Sequence, residues 1–184
     1  PADLLAEYLN EIAAELKTQG RRPIIWGDAL LEQERWGEGM IAYSRPDQQT
    51  HLALPQLSRD FVIADWQYSW RKDETIPTAR HFVEEGFDVL ACPWSDHDNI
   101  RVLGAAARRE GFGYLQTTWN GLPEHFEMLL YGAQAAYHSA FDEQPGLFDK
   151  KVALCHLAAL CRKLRPARGV YREAGWRAVE VHMG

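Results

Sequence analysis

Along this chain, short apolar runs alternate with stretches in which apolar residues recur every three or four positions. Leu4, Leu5, Tyr8, Leu9, Ile12, Ala13 and Leu16 keep helical spacing, with Asp3 as N-cap and Gly20 as the terminating glycine, which predicts a helix over about 3–19. Residues 23–26 (Pro-Ile-Ile-Trp) read as a short buried strand. From Glu32 to Pro55 only two apolar islands, Ile41-Ala42-Tyr43 and Leu52-Ala53-Leu54, stand among polar residues, so a loop with one or two short helical turns is expected. Then come a strand over 61–66, a helix from Thr75 to Glu85 closed by Gly86, and a strand over 87–92. A helix over about 98–110, with Asp98 as its N-cap and Gly111 at its end, leads to a strand over 113–118. A longer helix, roughly 123–141, carries Phe126, Leu129, Leu130, Ala133, Ala136 and Tyr137 on one face. Another, about 147–164, follows Pro145-Gly146 and precedes a tail without a clear pattern.

Strands alternating with helices imply an α/β fold with a parallel sheet and right-handed crossovers. Each apolar run ends at a tryptophan: IIWGD at 24–28, FVIADWQY at 61–68, FDVLACPW at 87–94 and YLQTTWNG at 114–121. Two units repeat one grammar, with Gly86 eight positions before Trp94 and Gly111 eight before Trp119. Ligands of parallel α/β sheets collect at the carboxyl ends of the strands, so four indoles placed there gather round one concavity. Four consecutive βα units of this kind are expected to form half of a (β/α)8 barrel over residues 1–144, with residues 145–184 as a helical extension packed on it. Half a barrel leaves two strand edges unpaired. A homodimer partner or a missing N-terminal half would cover them; with Pro1 in first place rather than methionine, the expectation is a piece of something longer.

Composition narrows the ligand. At 46% hydrophobic and 25% charged residues, the chain supports one good core. The formal charge of −6 gives neither a nucleic acid nor an anionic membrane a favourable long-range field, so a neutral ligand is expected. A pyranose fits: its axial C–H groups pack on an indole while its ring-edge hydroxyls reach polar acceptors. Asp28, Asp96 and Asn120 each lie within two residues of a strand-end tryptophan and are the acceptor candidates.

The order IIWGDAL, FVIADWQY, GFDVLACPW and GYLQTTWNGL resembles the C-terminal half of the catalytic barrel of glycoside hydrolase family 20, the β-N-acetylhexosaminidases, over about residues 1–140. The resemblance implies a (β/α)8 barrel that removes terminal N-acetylhexosamine. In that chemistry the substrate's own acetamido oxygen attacks the anomeric carbon, and an Asp-Glu pair orients the acetamide and supplies the acid. By position, Trp26, Trp66 and Trp119 correspond to indoles that wall the N-acetyl pocket and the apolar face of the sugar, with Trp94 as a neighbouring wall. The family's Asp-Glu pair ends its fourth barrel strand, ahead of the part this chain resembles. The pairs Asp73-Glu74 and Asp142-Glu143 stand in polar loop contexts, so no catalytic residue is assigned. The chain also departs from the family after the Pro-Trp of the seventh strand, where a Tyr and then an Asp are common and Ser95, Asp96, His97 and Asp98 stand here. Asp96 is then left to take a hydroxyl, and Tyr68 to replace the phenol from the adjacent strand.

Other chemistries find less support. A single tryptophan at a strand end is ordinarily structural, plugging a barrel mouth or packing on a helix; four at corresponding places form a pattern that packing alone does not require. Trp36 and Trp70 read as loop or packing residues, and Trp176 has no strand before it. Consecutive Asp96, His97 and Asp98 rarely converge on one ion, and His51, His81, His125, His138, His156 and His182 lack ligand spacing, so neither a metal nor another cofactor is expected. Cys92 falls late in a strand where alternation buries it, and Cys155 and Cys161 turn away from each other at a six-residue spacing. Such thiols suggest a reducing, cytoplasmic setting. No stretch is apolar enough to span a bilayer and no cleavable signal is visible. Three readings follow: part of a family 20 glycosidase, active only with its other half; a carbohydrate-binding α/β module without hydrolysis; and an α/β scaffold whose indoles stabilise a partner interface.

Overall fold

The first helix shows how closely local chemistry sets the elements. Ala2–Thr18 forms α1, and Gly20, at φ +67°, lets the chain leave it through paired bonds from Gly20 N to Lys17 O and from Arg21 N to Leu16 O. That left-handed turn is easy only for glycine. At the other end Pro1 occupies the capping position and makes no side-chain cap, so the expected cap by Asp3 is corrected: Asp3 lies in the first turn and accepts a hydrogen bond from Gln56 Nε2 at 3.0 Å. The same exit recurs after the helix Pro77–Glu84, where Gly86 has φ +89° and Gly86 N and Phe87 N bond to Val83 O and Phe82 O.

A computed structural model describes residues 1–72, 75–119 and 122–137. After α1 come β1 (Ile24–Trp26), a 3₁₀ turn (Asp28–Leu30), the short α2 (Gln33–Trp36) and a second 3₁₀ segment (Thr50–Gln56). Then follow β2 (Val62–Asp65), α3 (Pro77–Glu84), β3 (Asp88–Ala91), α4 (His97–Glu110), β4 (Gly113–Tyr114) and α5 (Leu122–Tyr137). The expected helix over 147–164 and the extension over 145–184 lie outside the described residues, as does the end of the helix expected to reach 141. The polar stretch from Glu32 to Pro55 holds two short helical turns, in keeping with the one or two expected, and of its apolar islands only Leu52-Ala53-Leu54 lies in one. The N-cap of α4 is Asp96, whose Oδ1 accepts from Asn99 N at 2.8 Å; the expected cap by Asp98 is corrected to the residue two positions earlier, with Asp98 placed in the first turn instead.

The four strands form one parallel sheet in the order β1-β2-β3-β4. An order without reversal, joined by right-handed crossovers, carries the connecting helices to a single face. The register pairs Ile25 with Ile63, Ile63 with Val89 and Ala91 with Tyr114, and paired residues share a face. This is the covered face: Ile63, Val89 and Ala91 join Phe82 of α3 and Val102, Leu103 and Ala106 of α4 in the core. The opposite face carries Ile24, Trp26, Val62, Ala64 and Leu90. It is only partly covered, and β1, expected to be buried, leaves Ile24 56% and Trp26 40% exposed. Wholly parallel sheets ordinarily have both faces covered.

Close approach at the end of β1 requires Gly27. Its N–H continues the ladder to Ala64 O, and a Cβ built there would lie 2.8 Å from Ile63 Cγ2 and from the Phe82 ring. We expect Gly27→Ala to cost about 1–3 kcal/mol by overpacking this junction, seen as a lower urea midpoint with an unchanged slope. An unaltered midpoint would mean that Ile63 and Phe82 repack freely.

Candidate functional site

The strand ends bring together six aromatic rings, a run of four from Tyr43 to Trp94 and a pair, Trp26 and Trp119, that a hydrogen bond from Trp119 to Tyr68 joins into one row. Trp26 closes β1, Trp66 and Tyr68 follow β2, Trp94 follows β3, Trp119 follows β4, and Tyr43 enters from the long β1–β2 loop. Ring centroids are 5.3 Å apart for Trp26 and Trp119, 5.7 Å for Tyr43 and Trp66, 5.0 Å for Trp66 and Tyr68, and 5.6 Å for Tyr68 and Trp94. Tilted and edge contacts in this range suit the ring quadrupoles. In a flat sheet β1 and β4 would stand about 14 Å apart, so the contact between Trp26 and Trp119 draws the two outer strand ends toward each other. The row is accessible: Trp119 is 57%, Tyr43 52% and Trp26 40% exposed.

Hydrogen bonds give the row a direction. An indole N–H can only donate. Trp119 Nε1 donates to Tyr68 Oη, and Thr117 Oγ1 donates to Pro93 O at 2.7 Å. The 3.1 Å contact between Tyr68 Oη and Thr117 Oγ1 therefore runs from the phenol to the threonine. Tyr68 thus spends its proton inside the protein, and burial raises the pKa of its phenol. Gln116 fixes the neighbouring wall, accepting from Tyr114 Oη at 2.8 Å and donating to Trp94 O at 2.6 Å.

The acceptor candidates stand in different settings. Asp28 Oδ1 accepts from Trp66 Nε1 at 2.7 Å, while the Asp28 backbone carbonyl accepts from Tyr43 N at 2.8 Å, so one residue orients two rings. The other Asp28 carboxylate oxygen makes no hydrogen bond among the described residues. Asp96 is doubly engaged, capping α4 and pairing with Arg71 Nη2 at 3.1 Å. Burial opposes its charge, but the Asn99 amide, Arg71 and His97 together hold its carboxyl below the usual range. Asn120 lies outside the described residues, so the structure brings together Trp26, Asp28, Trp66, Tyr68, Trp94 and Trp119, with Asp96 engaged with Asn99 and Arg71.

Tyr43 was hidden from sequence reasoning. It lies 17 residues beyond Trp26 in a loop without periodicity; its only signal was an aromatic at the end of the Ile41-Ala42-Tyr43 island. What places it is a clamp: Gln67 Oε1 accepts from Ile41 N at 2.7 Å and Gln67 Nε2 donates to Ile41 O at 3.2 Å. Gln67 Nε2 also donates to Asp65 Oδ1 at 2.8 Å, and Asp65 Oδ2 accepts from Thr78 Oγ1 at 2.7 Å.

Two other arrangements fail as catalytic centres. Ser44 Oγ lies 2.8 Å from His51 Nδ1, with Glu32 beyond the ring at 3.9 Å, yet Ser44 is buried and its Oγ also accepts from His51 N, so it closes a loop. Cys92 is fully buried and burial pushes its thiol pKa up, which makes it inert as a nucleophile. Trp70 is buried in the core, and Trp36 packs on His81, in keeping with the packing roles expected for both. Among the described residues, no group of three or more His, Cys, Asp or Glu side chains is placed to hold a metal ion.

Burial raises the Asp65 carboxyl to about 6, with Asp28 contributing in the same direction against the hydrogen bonds from Thr78 and Gln67. The native state then binds this proton more tightly than the unfolded chain, so the Asp65 contribution to stability falls as pH rises from about 4 to 6 and is flat above. Asn at this site keeps both bonds if the Thr78 hydroxyl turns to accept, and it does not titrate. We expect the stability of Asp65→Asn relative to wild type to improve by an amount of order 3 kcal/mol between pH 4 and pH 7. Paired urea titrations at the two pH values would measure this, and a difference independent of pH would refute it.

Compared with protein-family models and with curated proteins, the chain matches none.

Proposed function

We propose that this chain supplies the aromatic sugar pocket of a glycosidase of the β-N-acetylhexosaminidase type, its four strands forming half of a (β/α)8 barrel. The observation that carries the reading is the connected row of six rings at the carboxyl ends of parallel strands, with Asp28 at its edge. Exposed indoles offer flat apolar ground for the axial C–H face of a pyranose, and Asp28 keeps one oxygen for a sugar hydroxyl. Strand order without reversal and a second, partly open sheet face favour a half-barrel over a doubly wound sheet. The remaining strands, carried by a missing N-terminal half or by a second copy, would cover that face and the outer edges of β1 and β4.

The same geometry favours binding without proton transfer by this chain alone. No Asp-Glu pair stands at a strand end among the described residues, and Tyr68 and Asp96 are committed to internal partners. The alternative is a carbohydrate-binding module with no hydrolytic role; the engagement of Asp96 and Tyr68, left to take a sugar hydroxyl and to replace the family's phenol, favours it. No described helix is long and apolar enough to cross a membrane; a cytoplasmic setting, with neither nucleic acid nor membrane as partner, belongs to the proposal.

Tryptophan fluorescence during titration with N-acetylglucosamine, and separately with glucose, tests both readings. We expect a saturable change with the acetamido sugar, weakened about tenfold or more by Trp119→Ala, equivalent to ~1.4 kcal/mol. Trp119 is more than half exposed, so that change spares the core. Equal response to both sugars would move the reading to the binding module, and no response to either would overturn both. We also expect no measurable hydrolysis of a nitrophenyl N-acetylglucosaminide by the isolated chain, because the general acid alone is worth ~10²–10⁴ in rate. Clear turnover would show that the acid lies within these residues.

A further inference from the structure

Outside the row of rings, a cleft of about 580 Å³ opens between the loops that follow β1 and β2. Its volume lies within the range of small-ligand sites. Trp36 and Trp70 supply aromatic lining and Met40 an aliphatic one, while Arg35, Arg71 and Lys72 bring three positive charges against the single carboxylate of Glu38. That local excess runs against a chain whose net charge is −6.

The cations are unequal. Arg71 is committed, with Asp96 at 3.1 Å and the Ser69 carbonyl at 2.9 Å. Arg35 and Lys72 make no ion pair among the described residues; instead Arg35 Cζ sits 4.7 Å from the Trp36 ring centre and Lys72 Nζ 5.1 Å from that of Trp70. A cation resting on an indole has lost part of its rotational freedom yet keeps N–H donors for an anion, so less ordering is left to be done when a ligand arrives. A second sign of an unmet demand is Trp70 Nε1, a buried donor without a hydrogen-bond partner in a side chain that is 8% exposed and lines the cleft. Buried donors are nearly always paired.

We propose that this cleft is a second binding site, for a ring compound bearing a carboxylate. The ring would lie on the aromatic lining and the carboxylate would take Arg35 and Lys72. A neutral sugar leaves both cations unused, and a bare anion leaves the indoles unused, so the site discriminates against each. The cleft lies on loops at the same end of the sheet as the row of rings, and Arg71 ties its loop to Asp96 at the start of α4. Where the sugar reading of that row holds, the ring here is an acidic sugar unit; the cleft itself does not depend on that reading.

Calorimetric titration of the whole chain with glucuronate, benzoate, glucose and inorganic phosphate tests the site, with Arg35→Gln/Lys72→Gln as the variant. Both side chains are exposed, and circular dichroism of the variant checks its fold. We expect saturable binding of glucuronate or benzoate, weakened about tenfold or more in the variant and by added salt, with glucose and phosphate binding at least as much more weakly. Preference for glucuronate identifies an acidic sugar, and preference for benzoate an aromatic acid. Binding of phosphate as tight as either ring acid, no binding of either acid, or affinity unchanged in the variant would overturn the proposal. Trp119→Ala separates the two sites, because it should weaken N-acetylglucosamine and leave the acid untouched.

Discussion

Asp65 is the point at which the sheet, a helix and the longest loop are tied together. It ends β2 on the helix-covered face, where one carboxylate oxygen takes the Thr78 hydroxyl from the start of α3 and the other takes Gln67. Gln67 in turn grips both backbone groups of Ile41, and Asn99 Nδ2 from α4 reaches the carbonyls of Gln67 and Trp70 at 2.8 Å each. A buried carboxylate is costly unless its oxygens are satisfied, and each bond that satisfies this one also fixes an element. The Gln67 grip acts beside the bond from Tyr43 N to Asp28 O in holding the Tyr43 loop against Trp66. Removing the side chain altogether would strand two buried donors, which is why the near-isosteric amide isolates the charge better than alanine does.

The two faces of the sheet are unequally covered. Its helix-covered face is packed with Ile63, Val89, Ala91 and the large side chains of α3 and α4, whereas the opposite face begins with exposed Ile24 and Trp26 and ends in the row of rings. Crossovers of one hand in a sheet without reversal produce this asymmetry automatically, because every helix lands on the same side. The rings that follow the strands are gathered by the sheet itself, and only Tyr43 relies on a separate clamp. Each strand delivers at least one aromatic to the same rim, and Trp26 and Trp119, from the two outer strands, meet there.

Elements with their own local chemistry were legible in the sequence. Gly20, Gly86 and Gly111 mark helix ends because a positive φ is cheap only for glycine, and all three adopt it. The strands are visible as apolar runs, and the tryptophans that follow them do converge. What escaped depends on contacts remote in sequence. Tyr43 reaches the row through a clamp between Ile41 and Gln67, 26 positions apart, which no periodicity encodes. The first strand looked buried because Pro-Ile-Ile-Trp is wholly apolar, yet it is a sheet edge with one face partly open, and composition cannot tell an edge from a centre. Asp96 and Asp98 compete for one cap, and the residue with extended backbone wins, at φ −91° and ψ 125°, a conformation that the sequence does not announce.

The state of each titratable group near the strand ends bears on the division of labour in the proposed glycosidase. Asp65 faces the helices, Asp96 is held by Arg71 and a helix end, Cys92 is buried with its thiol pKa pushed up, and the Tyr68 phenol donates to Thr117. Asp28 alone keeps a carboxylate oxygen turned to no described partner, and its other oxygen orients Trp66. Substrate-assisted hydrolysis asks for two separate services, a carboxylate that steers the acetamide and an acid that protonates the leaving group. A single residue cannot perform both at once. The aromatic wall and the proton chemistry are therefore separable in this design: the wall depends on rings fixed by the ends of four strands, while the acid pair would have to come from strands that complete the barrel.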